Sequence, residues 1–137
     1  MSSTFSLEIV APDRTVLSTR AMSLVAPGTA GSLGILGDHT PLMTSLKPGV
    51  MTVRYADQSD EELAIGGGFL EVCDNHVVVL ADSAERAVDI DLELAREALE
   101  RARAALADPT VDPARARQAL DIAMARLKVA AGESFFH

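Results

Sequence analysis

The chain has 137 residues, of which 48% are hydrophobic, and a formal net charge of −8. A chain of this length can bury one modest hydrophobic core with a small appendage. The chain is acidic and has only four Phe, one Tyr and no Trp, so it lacks the basic and aromatic surface of a nucleic-acid-binding protein. No apolar run approaches the roughly 20 residues of a membrane-spanning helix, and the N-terminus lacks a basic region followed by an apolar stretch. We therefore expect that the chain does not insert into a membrane and has no export signal. We also expect that its partner is a protein. The single cysteine, Cys73, excludes an internal disulfide.

The first two thirds of the chain have the pattern of half-buried strands. Apolar and polar residues alternate over residues 5–9 and again over residues 51–55. Turn-forming residues separate such segments at 57–60 and at Asp74 and Asn75, and the second of these predicts a hairpin. Short strands with no long helix between them favour an antiparallel β-sandwich, or flattened barrel, over residues 1–86.

Two glycine-rich runs interrupt the strand pattern. Glycines at 28, 31, 34 and 37 separate single apolar residues too closely for a helix or a long strand, so we expect repeated sharp bends of the backbone there. The triplet at 66–68 precedes strand-like residues rather than a helix, so it does not fit a phosphate-binding loop. We interpret the triplet as a bend or bulge where strands cross.

After residue 86 the apolar pattern changes to the period of a helix. Asp91 predicts the N-cap of a first helix, and Asp112 followed by Pro113 predicts the start of a second. Their apolar stripes comprise Leu92, Ala95, Leu99, Ala102 and Leu106 in the first helix and Ala116, Leu120, Ala123, Leu127 and Ala130 in the second. The sequence thus predicts an antiparallel two-helix hairpin over residues 87–137.

The composition of this hairpin suggests that it can detach. Thirteen alanines lie between residues 91 and 131, and each buries little apolar area, so we expect the hairpin to hold to the sandwich only modestly. The second helix, residues 113–131, has a net charge of +3 in an acidic chain, which predicts an acidic protein partner. Its four cations are Arg115, Arg117, Arg126 and Lys128.

No group of residues has the sequence pattern of a catalytic or metal site. His39 has no nucleophile motif near it in the sequence, and acid–base catalysis requires a positioned partner. The acidic residues of the turn at 57–62 do not have the spacing of a calcium loop. We therefore expect a non-catalytic protein without a bound metal.

Three motifs carry a resemblance to a known family: GSLGILGDHTPL at residues 31–42, GGGFLEV at 66–72 and VVVLADSAER at 77–86. They resemble the epsilon subunit of bacterial F-type ATP synthases, and the resemblance covers residues 5–131. It implies a non-catalytic component of the rotating central stalk, peripheral on the cytoplasmic face of the cell membrane. It also implies that the subunit couples ion flow through the membrane ring to ATP synthesis.

The resemblance further implies contacts with several subunits. The sandwich would pack against the gamma subunit and sit on the rotor ring of c subunits, whereas the helices would reach the alpha and beta subunits and impede ATP hydrolysis. We expect the four cations of the second helix to contact the beta subunit. We place the ring contact on the glycine-rich loop, with Ser32 at its tip and His39 behind it; these residues are Gly28, Thr29, Ala30, Gly31, Ser32, Asp38 and His39.

Some relatives of this family bind ATP through a motif of the form Ile/Leu-Asp-x-x-Arg-Ala at the start of the first helix. Here the arginine position of the motif is Leu94, and Ile122 stands where a further arginine is expected. Losing two cations weakens a site for a polyanion, so we expect at most weak regulation by ATP and no other cofactor. A stand-alone ATP-sensing or protein-binding module is the alternative function. The candidate ATP-site residues are Glu85, Ile90, Asp91, Arg101 and Arg126.

Overall fold

The computed structural model describes residues 3–132, which form seven strands followed by two helices. The strands are β1 (Phe5–Ala11), β2 (Arg14–Gly28), β3 (Gly31–Leu36), β4 (Leu42–Tyr55), β5 (Asp60–Cys73), β6 (His76–Ala81) and β7 (Ala84–Arg86). A short 3-10 turn (Ala87–Asp89) leads into α1 (Leu92–Ala107), and α2 (Pro113–Ala131) follows. The predicted order of a β-sandwich and then a helical hairpin is confirmed; residues 1–2 and 133–137 of the two predicted units lie outside the described residues.

Five of the strands close into a flattened barrel. Their hydrogen-bonded order is β1-β6-β5-β4-β2, and β2 pairs with β1 to close the ring, while β3 adds to β2 and β7 adds to β5. Each of these pairings is antiparallel except that of β1 with β6, which is parallel. A parallel pair needs a crossover connection, which the intervening strands supply. The alternation of residues along a strand does not indicate its partner's direction, so the sequence did not predict this pairing.

The alternating apolar residues of the strands form the barrel core. Phe5, Leu7 and Ile9 of β1 are at most 1% exposed, and Met51 and Val53 of β4 are fully buried. Burying a side chain of this size contributes about 1.5–3 kcal/mol. The residues predicted to point inward on these two strands therefore supply much of the apolar burial that holds the barrel together.

Both predicted turns are present. Asp74 and Asn75 connect β5 to β6 with φ values of 51° and 60°, the backbone of a two-residue hairpin turn. In the turn before β5, Gln58 has a φ of 71°, and the Ser59 N–H donates to Asp57 Oδ1 at 2.9 Å. Short polar side chains that bond to nearby backbone groups stabilise such turns.

The first glycine-rich run forms a β-hairpin rather than a series of bends. A Cβ at Gly28 would lie 2.6 Å from the carbonyl oxygen of Gly31, and Gly31 itself has a φ of 132°, so both positions of the β2–β3 turn require glycine. Gly34 instead lies within β3, opposite Val25, with open space where a Cβ would project. The expectation of repeated sharp bends is therefore wrong at Gly34, because an exposed strand position accepts glycine without bending.

The second glycine-rich run bends β5, in agreement with its interpretation from the sequence. Gly67 and Gly68 have φ values of 100° and 139°, and β5 changes partner here from β7 to β6. The bend also shifts the side-chain alternation by one residue. The core residues of β5 are Leu63 and Ile65 before the bend and Leu70 and Val72 after it.

Both helices begin where the sequence predicts. The Asp91 carboxylate accepts a hydrogen bond from the Leu94 N–H at 3.0 Å, and the Asp112 carboxylate accepts one from the Ala114 N–H at 3.3 Å. Each bond satisfies a backbone donor that has no partner within its helix. The local capping signals in the sequence therefore fix the start of each helix.

The second helix buries two faces, of which the sequence predicted one. Its predicted residues Leu120 and Ala123 pack against Leu99 and Ala102 of α1, and the predicted Ala116 is buried as well. Ala125 and Val129 were not in the predicted stripe, yet they are buried against Ala64, Ile90 and Ala95. The reason is that α2 lies between α1 and strands β4 and β5, so a single stripe does not describe its contacts. The remaining predicted stripe residues Leu92, Leu106, Leu127 and Ala130 are only partly buried or exposed.

Candidate functional site

The residues predicted to contact the rotor ring lie in two separate places, and the first of these is the β2–β3 turn. Thr29 and Ala30 form its exposed tip, between the two required glycines. The Thr29 N–H donates to the Ser45 carbonyl at 3.1 Å, and the Thr29 and Ser45 hydroxyl oxygens are 2.7 Å apart, so the tip is anchored to β4. Ser32 does not lie at the tip as predicted; it pairs with Pro27 inside the hairpin, because the turn has only two central residues.

Asp38 and His39 lie at the other end of β3. The Asp38 N–H donates to Asn75 Oδ1 at 2.8 Å, next to the β5–β6 turn, and His39 Nδ1 donates to the Thr40 carbonyl at 2.7 Å. Along β3, at about 3.3 Å per residue, the two ends are about 17 Å apart. The structure thus divides the predicted ring-contact set into the β2–β3 turn and the segment that follows β3.

An exposed apolar patch lies on the outer face of β4, β5 and β6. Phe69 is 58% exposed and pairs with Leu80, which is 56% exposed, and Met43 is 69% exposed and pairs with Glu71, two residues along β5 from Phe69. We call Met43, Phe69 and Leu80 the barrel patch. This patch was not predicted from the sequence, although its apolar residues alternate with core residues and therefore must point outward. Clustered exposed apolar residues of this size indicate a contact surface for another protein.

The four cations of α2 do not share one face. Arg115 and Arg126 are three helical turns apart, as are Arg117 and Lys128, but the two pairs are displaced by two residues, or about 200° around the helix. Arg117 lies 3.3 Å from Asp121, and Arg126 points to the opposite side of the helix, toward the barrel. A single partner surface facing α2 therefore contacts two of the four cations at a time.

Arg126 ties the helical hairpin to the barrel. Its Nε donates to Glu85 Oε1 at 2.6 Å and its Nη2 to Oε2 at 3.4 Å, and both side chains are mostly buried, at 25% and 30% exposed. Glu85 lies on β7, the last strand before the hairpin. Bidentate, charge-assisted hydrogen bonds of this kind contribute about 1.5–3 kcal/mol to stability. Arg126 was predicted both in the ATP site and on the beta-subunit contact; in this conformation its guanidinium binds Glu85.

A shallow groove of about 380 Å³ between α1 and α2 contains two of the predicted ATP-site residues. Arg101 and Arg126 line it together with Ile122, and the rest of its wall is alanine. Ile90 is instead buried against α2 and the barrel, and the Asp91 carboxylate is used as the α1 cap. Leu94 is exposed on the first turn of α1 and does not line the groove. The predicted ATP-site residues therefore meet only in part.

A hydrogen-bonded cluster fixes the strand from which the hairpin departs. Arg86 donates to both carboxylate oxygens of Glu61, at 2.6 and 3.0 Å, and the Tyr55 hydroxyl donates to Glu61 Oε1 at 2.6 Å. Burial and this bond raise the pKa of Tyr55 to about 12. Burial alone would raise the pKa of Glu61, but the hydrogen bonds from Arg86 and Tyr55 and the Arg86 charge outweigh it, so the pKa is lowered.

Over residues 3–132, no group of three or more His, Cys, Asp and Glu side chains is arranged to hold a metal ion. Neither α1 nor α2 is long and apolar enough to cross a bilayer.

Comparison with protein families accounts for both parts of this structure. The family model described as the β-sandwich domain of the ATP synthase delta/epsilon chain matches residues 4–87, and the one described as its long α-helix domain matches residues 89–131. The chain belongs to the ATP synthase delta/epsilon family. The resemblance inferred from the glycine-rich motifs is thus confirmed.

Relatives in this family align over nearly their whole length. The ATP synthase epsilon chain of Moorella thermoacetica is 49% identical over 127 residues, which are 91% of this chain and 95% of that one. The epsilon chain of Nitratidesulfovibrio vulgaris (strain DP4) is 44% identical over 131 residues, covering 94% and 97% of the two chains.

Chains in two solved ATP synthase assemblies have a similar fold. A chain of the Euglena gracilis mitochondrial ATP synthase, solved with OSCP, F1 and the c-ring, has a TM-score of 0.80 at 26% identity and covers 94% of this chain and 82% of its own length. A chain of the Tetrahymena thermophila central stalk and c-ring has a TM-score of 0.56 at 14% identity, a similarity of fold alone.

Proposed function

We propose that this chain is the non-catalytic epsilon subunit of an F-type ATP synthase, a component of the central stalk that couples ion flow through the membrane ring to ATP synthesis. Its helical hairpin restrains ATP hydrolysis when it leaves the barrel. The observation that carries this proposal is the way the two parts join: a closed barrel holds a helical hairpin through one small, alanine-rich apolar cluster and the Glu85–Arg126 ion pair.

The barrel provides two surfaces for the stalk. We assign the barrel patch to the gamma subunit, because a rotating shaft needs a contact that transmits torque and apolar burial supplies one. We assign the β2–β3 turn to the ring of c subunits, because its small residues and backbone groups present a firm, anchored tip. Asp38 and His39, at the far end of β3, belong to this contact only if the ring surface spans both ends of the strand.

The hairpin provides the inhibitory element. Arg126 binds Glu85 while the hairpin is folded against the barrel, so it reaches an acidic segment of the beta subunit only after that ion pair opens. Arg115, on the same side of α2, joins it there, whereas Arg117 and Lys128 face a surface about 200° away. The hairpin then extends toward the alpha and beta subunits, and the barrel stays on gamma.

ATP is at most a weak regulatory ligand in this proposal. Of the cations expected for a triphosphate site, Arg101 and Arg126 line the groove between the helices, and Ile122 occupies the same groove as an apolar side chain. The Arg126–Glu85 ion pair must also open before Arg126 can bind a phosphate. We therefore favour the stalk subunit over a stand-alone ATP-sensing module.

The location follows from these partners. A subunit that contacts the membrane ring and the catalytic head from one side is peripheral on the cytoplasmic face of the bacterial cell membrane.

The test is binding of the purified full chain to the gamma subunit. We expect the paired change Phe69→Ser with Leu80→Ser to weaken binding at least tenfold, about 1.4 kcal/mol, because it removes two central apolar contacts. The matched control is Leu106→Ser, another exposed apolar position, 43% exposed at the end of α1. Equal affinity of the paired variant and the control would contradict the assignment of the barrel patch to gamma.

A further inference from the structure

Strand β3 has an open edge. It is the last strand in the hydrogen-bonded order, and over residues 3–132 it pairs with β2 alone. Its six residues are Gly-Ser-Leu-Gly-Ile-Leu, with neither a charge nor a proline. Native proteins usually protect an exposed edge with charged side chains, with proline or by making the edge strand very short, because an unprotected edge accepts a strand from another chain. The composition of β3 includes none of these protections.

Strand β7 shows the contrast within the same molecule. In the described part of the chain it pairs only with β5, so it has a free edge as well. It has three residues, and two of them, Glu85 and Arg86, are charged and form ion pairs with Arg126 and Glu61. A short, charged strand is a poor template for a further strand. Of these two edges, only that of β3 is suited to strand addition.

The hydrogen-bond pattern of the β2–β3 hairpin determines which backbone groups face the open edge. The turn has two central residues, so the pair that flanks it, Gly28 and Gly31, is hydrogen-bonded. Hydrogen-bonded pairs alternate along antiparallel strands, so every second residue after Gly31 bonds to β2. The residues between them direct their N–H and C=O groups away from β2. These residues are Ser32, Gly34 and Leu36.

The proline of β2 agrees with this pattern. Pro27, which has no N–H to donate, lies opposite Ser32, in a pair that makes no bonds between the two strands. Among residues 3–132, the outward N–H and C=O groups of β3 have no hydrogen-bond partner. Three donors and three acceptors are therefore available along this edge.

The side chains beside the open edge are apolar. Val25 is 45% exposed and Leu36 is 64% exposed, whereas Ile35, which points inward, is fully buried. Gly34 lies opposite Val25, with open space where a Cβ would project. An added strand can place a side chain over Gly34, in contact with its apolar neighbours. This edge therefore fits an extended segment whose side chains are apolar and uncharged.

A shallow groove connects this edge to the barrel patch. It has a volume of about 290 Å³ and is lined by Ser32 and Leu33 of β3 and by Leu42 and Thr44 of β4. The last two residues flank Met43, which belongs to the barrel patch. A protein that binds the barrel patch can therefore also reach the edge of β3.

We propose that β3 accepts an extended apolar segment of the gamma subunit as an additional strand. The segment bonds to the outward backbone groups of β3 and covers Val25 and Leu36. This inference rests on the proposed function, from which it takes gamma as the protein on the barrel patch. The two contacts differ in kind: the patch supplies apolar burial, and the directional backbone bonds at β3 fix the orientation of the barrel on gamma.

Substitutions at Gly34 test the backbone bonds separately from the side chain. Gly34→Pro removes the outward N–H and places the proline ring on the edge, while the bonds to β2 remain. Gly34→Ala is the matched control, because it keeps the N–H and its Cβ meets no atom within 4 Å. We expect the full chain with Gly34→Pro to bind purified gamma at least tenfold more weakly than the chain with Gly34→Ala. Equal affinities would overturn the proposal.

A charge on the edge provides a test that does not require the chain to tolerate proline. Leu36→Lys should weaken binding of gamma at least tenfold, because an added strand would bury the ammonium group. Its control is Leu106→Lys, the same change at another exposed leucine, at the end of α1. If both lysine variants bind gamma equally well, β3 is not part of the interface.

Amide hydrogen exchange measures the bonds themselves. In the isolated wild-type chain, the amides of Ser32, Gly34 and Leu36 should exchange faster than those of Leu33 and Ile35, which bond to β2. Saturation with gamma should slow the exchange of the first three at least tenfold. Exchange of these three amides that remains as fast in the complex would contradict strand addition.

The paired variant Phe69→Ser with Leu80→Ser separates this inference from the proposed function. If it binds gamma weakly while Gly34→Pro and Gly34→Ala bind alike, the barrel patch retains its assignment and strand addition is overturned. If no variant binds more weakly than its control, gamma contacts neither surface and both proposals fail.

Discussion

Glu61 shows how a single side chain connects three parts of the barrel. It accepts bonds from Tyr55 at the end of β4 and from Arg86 at the end of β7, and it lies near the start of β5. Its side chain is only 18% exposed, so the loss of its charge would remove the charge assistance from its bonds to Arg86 and Tyr55 and leave fewer acceptor sites for these donors. The cluster thereby fixes the last strand before the hairpin.

We predict that Glu61→Gln destabilises the protein by about 1.5–3 kcal/mol at neutral pH. Because the pKa of Glu61 is lowered in the folded state, its contribution is present above the ordinary value of 4.5 and is lost as the pH falls through the lowered value. The difference in the free energy of unfolding between the two proteins should therefore shrink as the pH falls below 4.5. Urea unfolding at several pH values measures it.

Glu97→Gln is the control for this experiment, since Glu97 is an exposed carboxylate on α1. It should change the free energy of unfolding little at any of these pH values. A difference between wild type and Glu61→Gln that stays constant on acidification would show that the Glu61 charge is not what stabilises the cluster.

Helix α2 borders four different surfaces, namely α1, the barrel, the groove between the helices and a second groove beside β4. Its small residues lie on the two packed faces, and three of its four cations, Arg117, Arg126 and Lys128, line the grooves. The groove between the helices has an isoleucine, Ile122, beside Arg101 and Arg126. This composition decides how strongly the hairpin can bind a nucleotide.

We predict that the unmodified chain binds ATP no more tightly than the millimolar range, about 4 kcal/mol of binding free energy. Leu94→Arg with Ile122→Arg should strengthen binding tenfold or more, since each charge-assisted contact to a phosphate contributes about 1.5–3 kcal/mol. Most of the gain should come from Ile122→Arg, because Ile122 lines the groove and Leu94 does not. Titration calorimetry on the unmodified chain, the single variant Ile122→Arg and the double variant measures these affinities.

The control is Leu106→Arg with Met124→Arg, which adds the same charge to the helices outside this groove. Micromolar binding by the unmodified chain would show that the two missing arginines matter little. An equal gain in ATP affinity in the control would mean that the affinity depends on the net charge of the helices rather than on a specific site.

The elements that the sequence predicts well are those fixed by neighbouring residues. Asp91 and Asp112 cap the helices and Asp74 and Asn75 form a hairpin turn because their side chains and backbone act within a few residues. The parallel pairing of β1 with β6 and the second buried face of α2 depend on distant partners, which residue spacing does not encode.

The candidate sites divide in the same way. Glu85 and Arg126 were predicted in one site from the family resemblance, but their mutual ion pair depends on how α2 docks beside β7. The predicted ring-contact residues lie within twelve residues of the sequence, and β3 separates them into two groups at its two ends. The barrel patch could have been predicted from the sequence, because Phe69 alternates with the core residues Leu70 and Val72.

At the scale of the whole molecule, the barrel and the hairpin have separate cores joined by a narrow junction. The barrel core lies inside the closed ring of strands, and a second cluster lies between α1 and α2. The junction cluster is much smaller than the barrel core, and three of its five buried residues are alanines (Ala64, Ala95 and Ala125) beside Ile90 and Val129, so its burial contributes less than that of the barrel. We therefore propose that residues 1–86 fold as an independent unit and bind gamma without the helices.

The rate of ATP hydrolysis measures whether the helical hairpin restrains the enzyme. Enzyme depleted of this subunit would be reassembled with the full chain or with residues 1–86 alone, and proton pumping would confirm that both preparations are coupled. We predict that the enzyme with residues 1–86 hydrolyses ATP about fivefold faster or more, the low end of usual coupling free energies between sites, because the restraining hairpin is absent. Equal hydrolysis rates in the two coupled preparations would contradict the inhibitory function of the helices.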